Sequence, residues 1–208
     1  MSKRKLGATV CSVTPVSDGF LKVKRYRFAT DKHNGGVQVI EREVMERGHA
    51  VGVLGYDPLR DEVILISEFR PGCFVAGDDA YADNVVAGAI DGDETPCDAA
   101  VREMQEEAGL ELSDPILIHP GAYVSSGGTS EKVALVVGIV DTSQAGGVHG
   151  NADECEDILT VVLSRREFLQ RARRAEITDL KTLVAAYWLA EEYERFDRGL
   201  VQSFPGGL

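Results

Sequence analysis

Three closely spaced glutamates between residues 88 and 110 could carry metal-dependent chemistry. In GAIDGDETPCDAAVREMQEEAGL, Glu106 and Glu107 follow Glu103 by three and four residues. Side chains at these intervals share one face of an α-helix, so the three carboxylates are expected to crowd together there. Crowded carboxylates repel one another, and a bound divalent cation removes the conflict. Oxygen-only ligands of this kind suit Mg²⁺ or Mn²⁺.

An acidic helix face is more often only a solvated surface, and an isolated pair of glutamates would favour that explanation. Here the glutamates are accompanied by Gly88, Glu94, Arg102 and Gly109 at fixed intervals. The complete pattern resembles the Nudix box, G-x5-E-x7-R-E-U-x-E-E-x-G-U, in which U is a bulky aliphatic residue. A chance match at so many positions is improbable, which favours a functional site.

The same segment contains the signals that begin and end a helix. Thr95 is a suitable N-cap, Pro96 suits the first helical position, and Asp98 completes a capping box. Gly109 is suited to the left-handed conformation that often follows a helix end. The sequence therefore predicts a helix between Thr95 and Gly109 that carries the glutamates.

Strand patterns surround this helix on both sides. Residues 1–46 are predicted to form a small N-terminal antiparallel β-sheet, since residues 21–30 and 37–46 alternate around the turn at 34–36. Residues 47–208 are predicted to form the main domain. Its predicted strands are 50–58, 62–70, 84–90, 115–124, 133–141 and 158–164; its later helices begin at Ser164 and at Thr178 or Asp179. Residues 71–83 and 142–157 are predicted to be loops.

The resemblance to the Nudix hydrolases implies an α/β class fold, an α/β/α sandwich with a mixed sheet. Further segments resemble the bacterial ADP-ribose pyrophosphatases of that family: residues 46–72, SSGGTSE at 125–131 and HGNADECEDI at 149–158. The similarity extends over roughly residues 37 to 190. It implies hydrolysis of ADP-ribose to AMP and ribose 5-phosphate. It also implies a homodimer in which the N-terminal sheet packs on the partner and helps to hold the adenosine.

The resemblance also assigns metal ligands. Glu103 and Glu107 are expected to be the principal ligands, with the main-chain carbonyl of Ala87. Glu106 is expected to be a third ligand, directly or through water, and Glu156 to assist.

Catalytic roles are expected for the acidic loop, residues 149–158, and for Arg102. Glu154 is expected to be the general base, with Glu156 as the alternate base, although a hydrophilic loop tip without function is the simpler explanation for such a sequence. Arg102, together with Glu94, is expected to hold the glutamates in register, and an ordinary ion pair that caps the helix explains these two residues equally well.

Substrate contacts are expected from two further places. Arg70 follows a strand end and has the planar donor fork that suits phosphate, although lone surface arginines are common. The glycine-containing loop allows close approach of a ligand to the backbone. Its candidate residues are Gly127, Gly128, Ser130 and Glu131.

Composition limits the possible partners. The net charge of −12 argues against nucleic acid as a binding partner, because its backbone is also negatively charged. A bound cation would still allow a small anionic substrate such as a nucleotide sugar to bind. The four cysteines are scattered, which is typical of free thiols in a reducing cytoplasm. No apolar stretch predicts a signal peptide, a membrane span or a membrane partner.

Three functions remain open on the sequence. The first is hydrolysis of ADP-ribose, and the second is hydrolysis of another nucleoside diphosphate sugar such as GDP-mannose. The third is a non-catalytic nucleotide sensor or a tellurite-resistance protein that kept the fold. A sensor is expected to have lost a carboxylate of the box, whereas this chain keeps them all, so an enzyme is favoured.

Overall fold

The computed structural model describes residues 5–199, except for the side chains of Glu154 and Asp197. The described residues form two compact units. One contains the residues up to Gly48 together with Tyr123–Lys132, and the other contains His49–Ala122 and the residues from Val133 onward. Residues 1–4 and 200–208, the outer ends of the two predicted domains, lie outside the described residues. The boundary between residues 46 and 47 stays a prediction.

The first unit contains the predicted antiparallel sheet. Its strands are β1 (Ala8–Asp18), β2 (Lys22–Asp31) and β3 (Val37–Glu46), arranged in that order. Period-two alternation divides the faces of the sheet. Tyr26 and Phe28 stack on one face with ring centroids 5.5 Å apart, and Arg25 pairs with Glu43 at 2.7 Å across β2 and β3.

The second unit is built around a mixed sheet, as expected. The sheet runs in the order β7-β8-β4-β5-β10-β9, and β6 pairs with the first half of β4. Strand β4 is parallel to β8 and antiparallel to β5 and β6. The strands are β4 (Ala50–Asp57), β5 (Glu62–Ser67), β6 (Val86–Ala89), β7 (Ser113–Tyr123), β8 (Lys132–Ile139), β9 (Val148–His149) and β10 (Ile158–Ser164). The helices are α1 (Pro71–Ala76), α2 (Pro96–Ala108), α3 (Arg165–Arg173) and α4 (Leu180–Asp197).

Alternation along the central strands divides the core into two layers. In β5, Ile64 and Ile66 belong to the layer that includes Met104 of α2, whereas Val63 and Leu65 belong to the layer that includes Phe168 of α3. Complete burial of each such side chain stabilises the folded state by about 1.5–3 kcal/mol. Burial on both faces explains why the strands are almost continuously apolar, and it confirms the α/β/α arrangement.

Both stretches predicted to be loops contain regular structure. Residues 142–157 include the two-residue strand β9 and two 3-10 turns, Thr142–Gln144 and Ala152–Glu154. Residues 71–83 were expected to be a loop, and that prediction was wrong over Pro71–Ala76, which form α1. Pro71 suits the first position and Gly77 ends the helix with φ of 86°. Six residues are too few to show a helical period, so only these end signals were available.

None of the helices in the described part of the chain is long and apolar enough to cross a membrane.

Candidate active site

Helix α2 begins and ends at the predicted signals. The Thr95 hydroxyl accepts a hydrogen bond from the Asp98 N–H at 3.2 Å, and the Thr95 N–H donates to the Asp98 carboxylate at 3.3 Å. Gly109 adopts φ of 67°, and its N–H donates to the Gln105 carbonyl. The capping box and the left-handed glycine therefore fix which residues of α2 face the sheet.

Arg102 connects the helix to the loop before it and to β6. Its guanidinium binds both carboxylate oxygens of Glu94, at 3.0 and 3.1 Å, and donates to the Ala89 carbonyl at 2.9 Å. The same group donates to Glu103 at 2.7 Å and to Glu106 at 3.1 Å. Because one rigid fork makes all these contacts, Arg102 sets the positions of the acidic side chains around it.

Glu103 and Glu107 lie against the backbone of β6. The Ala87 N–H donates to the Glu107 carboxylate at 3.0 Å. A β-carbon at Gly88 would lie 1.8 Å from the Glu103 Oε1 atom, so only glycine leaves room for that carboxylate. The first glycine of the box is therefore required by the close approach of a glutamate side chain to the strand.

Burial opposes the charged forms of both glutamates. Burial raises the pKa of Glu107 to about 8; the Ala87 N–H lowers this pKa, and the Glu103 and Glu156 carboxylates raise it. Burial also raises the pKa of Glu103, although the Arg102 guanidinium acts in the opposite direction. Two buried carboxylates, of which Glu103 raises the pKa of Glu107, are a donor set that a divalent cation would stabilise.

The donor set fits a hard divalent cation, but its members are not gathered around one point. Among the described residues, no three His, Cys, Asp or Glu side chains converge closely enough to hold an ion in the arrangement seen. The Glu106 side chain is 53% exposed and pairs with Arg102, whereas Glu103 and Glu107 are buried. The structure thus brings two of the three predicted glutamates together and leaves Glu106 at the rim, where its ligand role stays a prediction.

The loop between β8 and β10 brings a further carboxylate to this place. Glu156 accepts a hydrogen bond from the Asn151 N–H at 2.8 Å. Burial is the main cause that raises the pKa values of Glu68, Glu103 and Glu107. The negative charge of Glu156 raises all three further. Glu154 ends a short 3-10 turn, Ala152–Glu154, and its side chain lies outside the described side chains.

Glu68 belongs to this acidic group and was missed by the sequence analysis. It pairs with Arg70 at 2.7 Å, and the Arg70 guanidinium in turn lowers the pKa of Glu107. Arg70 is thus close enough to the box to affect the charge of Glu107, while its contact with a substrate phosphate stays a prediction. The signal for Glu68 was its position two residues before Arg70, just past the end of β5, from where its carboxylate reaches that guanidinium.

The glycine-containing loop belongs to the first unit, where it is joined to the end of β3. The Met45 N–H donates to the Gly128 carbonyl at 2.9 Å, and the Ser130 N–H donates to the Met45 carbonyl at 3.1 Å. Glu131 is buried and pairs with Arg47 at 3.5 Å. A Cβ at Gly127 or Gly128 would meet nothing within 4 Å, so their backbone is open to approach. The substrate contacts of this loop stay predictions.

Comparison with known proteins agrees with this geometry. The family model for the NUDIX domain matches residues 46–180. An ADP-ribose pyrophosphatase of Escherichia coli (strain K12) is 39% identical over 174 residues, which are 82% of each chain. A GDP-mannose pyrophosphatase of Salmonella arizonae is 29% identical over 175 residues, which are 84% of this chain and 90% of the relative. The crystal structure of an ADP compounds hydrolase superposes with a TM-score of 0.69 at 23% identity, covering 97% of this chain and all of the other, which shows a shared fold.

Proposed function

Since the chain belongs to the Nudix family, we propose that it is a pyrophosphatase that hydrolyses ADP-ribose to AMP and ribose 5-phosphate. The observation that carries this proposal is the placement of Glu103 and Glu107 against Ala87 and Gly88 of β6. The higher identity to the ADP-ribose enzyme than to the GDP-mannose enzyme supports the choice of substrate.

Nudix hydrolases in general use divalent metal ions, and we propose Mg²⁺, with Mn²⁺ as a substitute. Glu103, Glu107 and the Ala87 carbonyl would hold the ion, with Glu106 and Glu156 as further ligands. When bound, the cation neutralises charge on the pyrophosphate and activates a water molecule.

The residues around the cation site have separate tasks. Arg102 and Glu94 keep the glutamates in place through the contacts described above. Arg70 would bind a substrate phosphate, for which it would exchange its contact with Glu68. Glu154 would accept the proton of the attacking water as general base, with Glu156 as its alternate. Gly127, Gly128, Ser130 and Glu131 would contact the ribose side of the substrate.

The proposed assembly is a homodimer that acts in the cytoplasm. All of β1 is exposed in the single chain, including Val10, Val13 and Val16. An exposed apolar edge strand invites pairing with a second chain. The four free cysteines favour a reducing compartment.

A comparison of two substrates tests the proposed specificity. With Mg²⁺ present, kcat/KM for ADP-ribose is expected to exceed that for GDP-mannose by at least about tenfold, or roughly 1.4 kcal/mol of differential transition-state binding. Equal or faster turnover of GDP-mannose would assign the chain to the second substrate. Absence of turnover with both would favour a binding protein.

A further inference from the structure

The loop that carries Glu156 is attached to the last turn of α2 at two neighbouring residues, His149 and Gly150. A β-carbon at Gly109 would lie 2.4 Å from the His149 Cε1 atom and 2.9 Å from Nδ1. The imidazole therefore lies directly on the helix end, in space that any side chain at Gly109 would fill. This contact is a second reason for glycine there, besides its φ of 67°.

The His149 ring is also fixed within its own loop. Its Nε2 atom is 2.8 Å from the Gly146 carbonyl oxygen. A carbonyl oxygen can only accept, so Nε2 must carry a proton and donate it. The ring is thus bound to Gly146 through Nε2, while its Cε1 and Nδ1 atoms lie over the end of α2.

Gly150 makes the second attachment through its backbone. Its N–H donates to the Glu106 carbonyl at 3.1 Å, one of the carbonyls that a helix end leaves without a partner in the helix. A β-carbon at Gly150 would lie 2.7 Å from the Glu156 Cβ atom, so the chain returns closely on itself. The Glu156 N–H closes the turn by donating to the Asn151 carbonyl at 3.2 Å.

We propose that His149 and Gly150 form a latch that holds the Glu156 loop on α2, and that His149 is a positioning residue for Glu156. The last turn of α2 also carries Glu106 and Glu107. The latch therefore joins the acidic loop to the helix that bears the predicted metal ligands. This role rests on the proposed function only in the final step, where Glu156 acts on the substrate or its cation.

Hydrogen exchange tests the latch without substrate or added cation. In His149→Ala, amides of residues 146–157 are expected to exchange faster than in the wild type, while amides of the central strands keep their rates. His119→Ala is the control, because the exposed His119 likewise makes a local hydrogen bond to the backbone, in which its Nδ1 atom accepts from the Gly121 N–H. Unchanged exchange in His149→Ala would overturn the latch, and this result is independent of which substrate the protein hydrolyses.

Kinetics test the positioning role. His149→Ala is expected to lower kcat by about tenfold to a hundredfold, since small displacements of a catalytic group have effects of this size. The loss should disappear in a Glu156→Gln background, because the two changes act through one group. His149→Gln retains a donor for the Gly146 carbonyl and should recover part of the rate. Full activity of His149→Ala, or an equal further loss in the Glu156→Gln background, would contradict the proposal.

Discussion

At the scale of single residues, the carboxylate of Glu103 rests against the backbone of Gly88. In Gly88→Ala the new methyl group would displace that carboxylate, which is the end of a flexible side chain, so the fold should persist. Activity with ADP-ribose is expected to fall more than about tenfold. Gly72→Ala is the control, because a Cβ there meets nothing within 4 Å. Equal activities of the two variants would contradict the assigned role of Gly88.

The two loop glutamates differ in their expected effects. Glu154→Gln should lower kcat by about 10²–10⁴ with little change in KM, as expected for loss of a general base. Glu156→Gln should have the milder effect or weaken the response to the cation. Steady-state kinetics of both variants against Mg²⁺ concentration separates these outcomes. If Glu156→Gln is the severely impaired variant and Glu154→Gln is not, the roles are reversed.

The spacing of the box predicted which residues the structure brings together around α2, while their functional roles stay predictions. Gly88, Arg102 and Glu107 stand at fixed intervals, and a pattern of that length is hard to produce by chance. Glu68 could not be found in this way, since it is one of 34 acidic residues and stands outside the box. Its contact with Arg70 depends on where a strand ends, which sequence places only approximately.

At the scale of elements, the capped helix α2 could be predicted because its signals are local. Thr95, Asp98 and Gly109 form hydrogen bonds with backbone or side-chain groups a few residues away, so a short stretch of sequence is enough to recognise them. The attachment of the 142–157 loop to α2 could not be predicted, since it joins His149 to Gly109 across 40 residues and depends on the sheet being formed. The sequence of this loop showed only that it is mainly polar and contains glycines.

The β4–β5 turn gives a prediction about pH. Burial alone would raise the pKa of Asp57, but hydrogen bonds from Thr142 and from Arg60 outweigh burial, and the net effect lowers the pKa well below its usual range. A carboxylate with a lowered pKa in the folded state stabilises the fold at neutral pH. That contribution is lost as the pH falls below about 4, the pKa of an unfolded aspartate.

Denaturant unfolding at several pH values measures this contribution. The free energy of unfolding of Asp57→Asn should be lower than that of the wild type at pH 7, and the difference should shrink as the pH falls below about 4. Asp18→Asn, in the exposed strand β1, is the control and should follow the wild type. A difference that stays constant down to pH 3 would show that Asp57 does not act through its charge.

At the scale of the whole molecule, the apolar residues of β1 predict association. Val13 lies opposite Tyr26 in the sheet register, and the adjacent Thr14 lies opposite Arg25. The two residues therefore point to opposite faces of the sheet. Light scattering at micromolar concentration should give twice the mass of one chain. Val13→Glu should reduce that mass, because burial of an unpaired carboxylate at an interface is costly. Thr14→Glu is the matched control. A wild-type monomer with full activity would contradict the dimer.

The most direct test of the proposed reaction is the rate of AMP release from ADP-ribose, measured with and without Mg²⁺ for the wild type and for Glu107→Gln. The wild type should produce AMP and ribose 5-phosphate in equal amounts with the cation and lose that activity when a chelator removes it. Glu107→Gln, folded by circular dichroism, should be slower by at least about a hundredfold, because the cation that neutralises the pyrophosphate loses one of its proposed carboxylate ligands. Near-normal AMP release by folded Glu107→Gln would contradict the role assigned to the box glutamates.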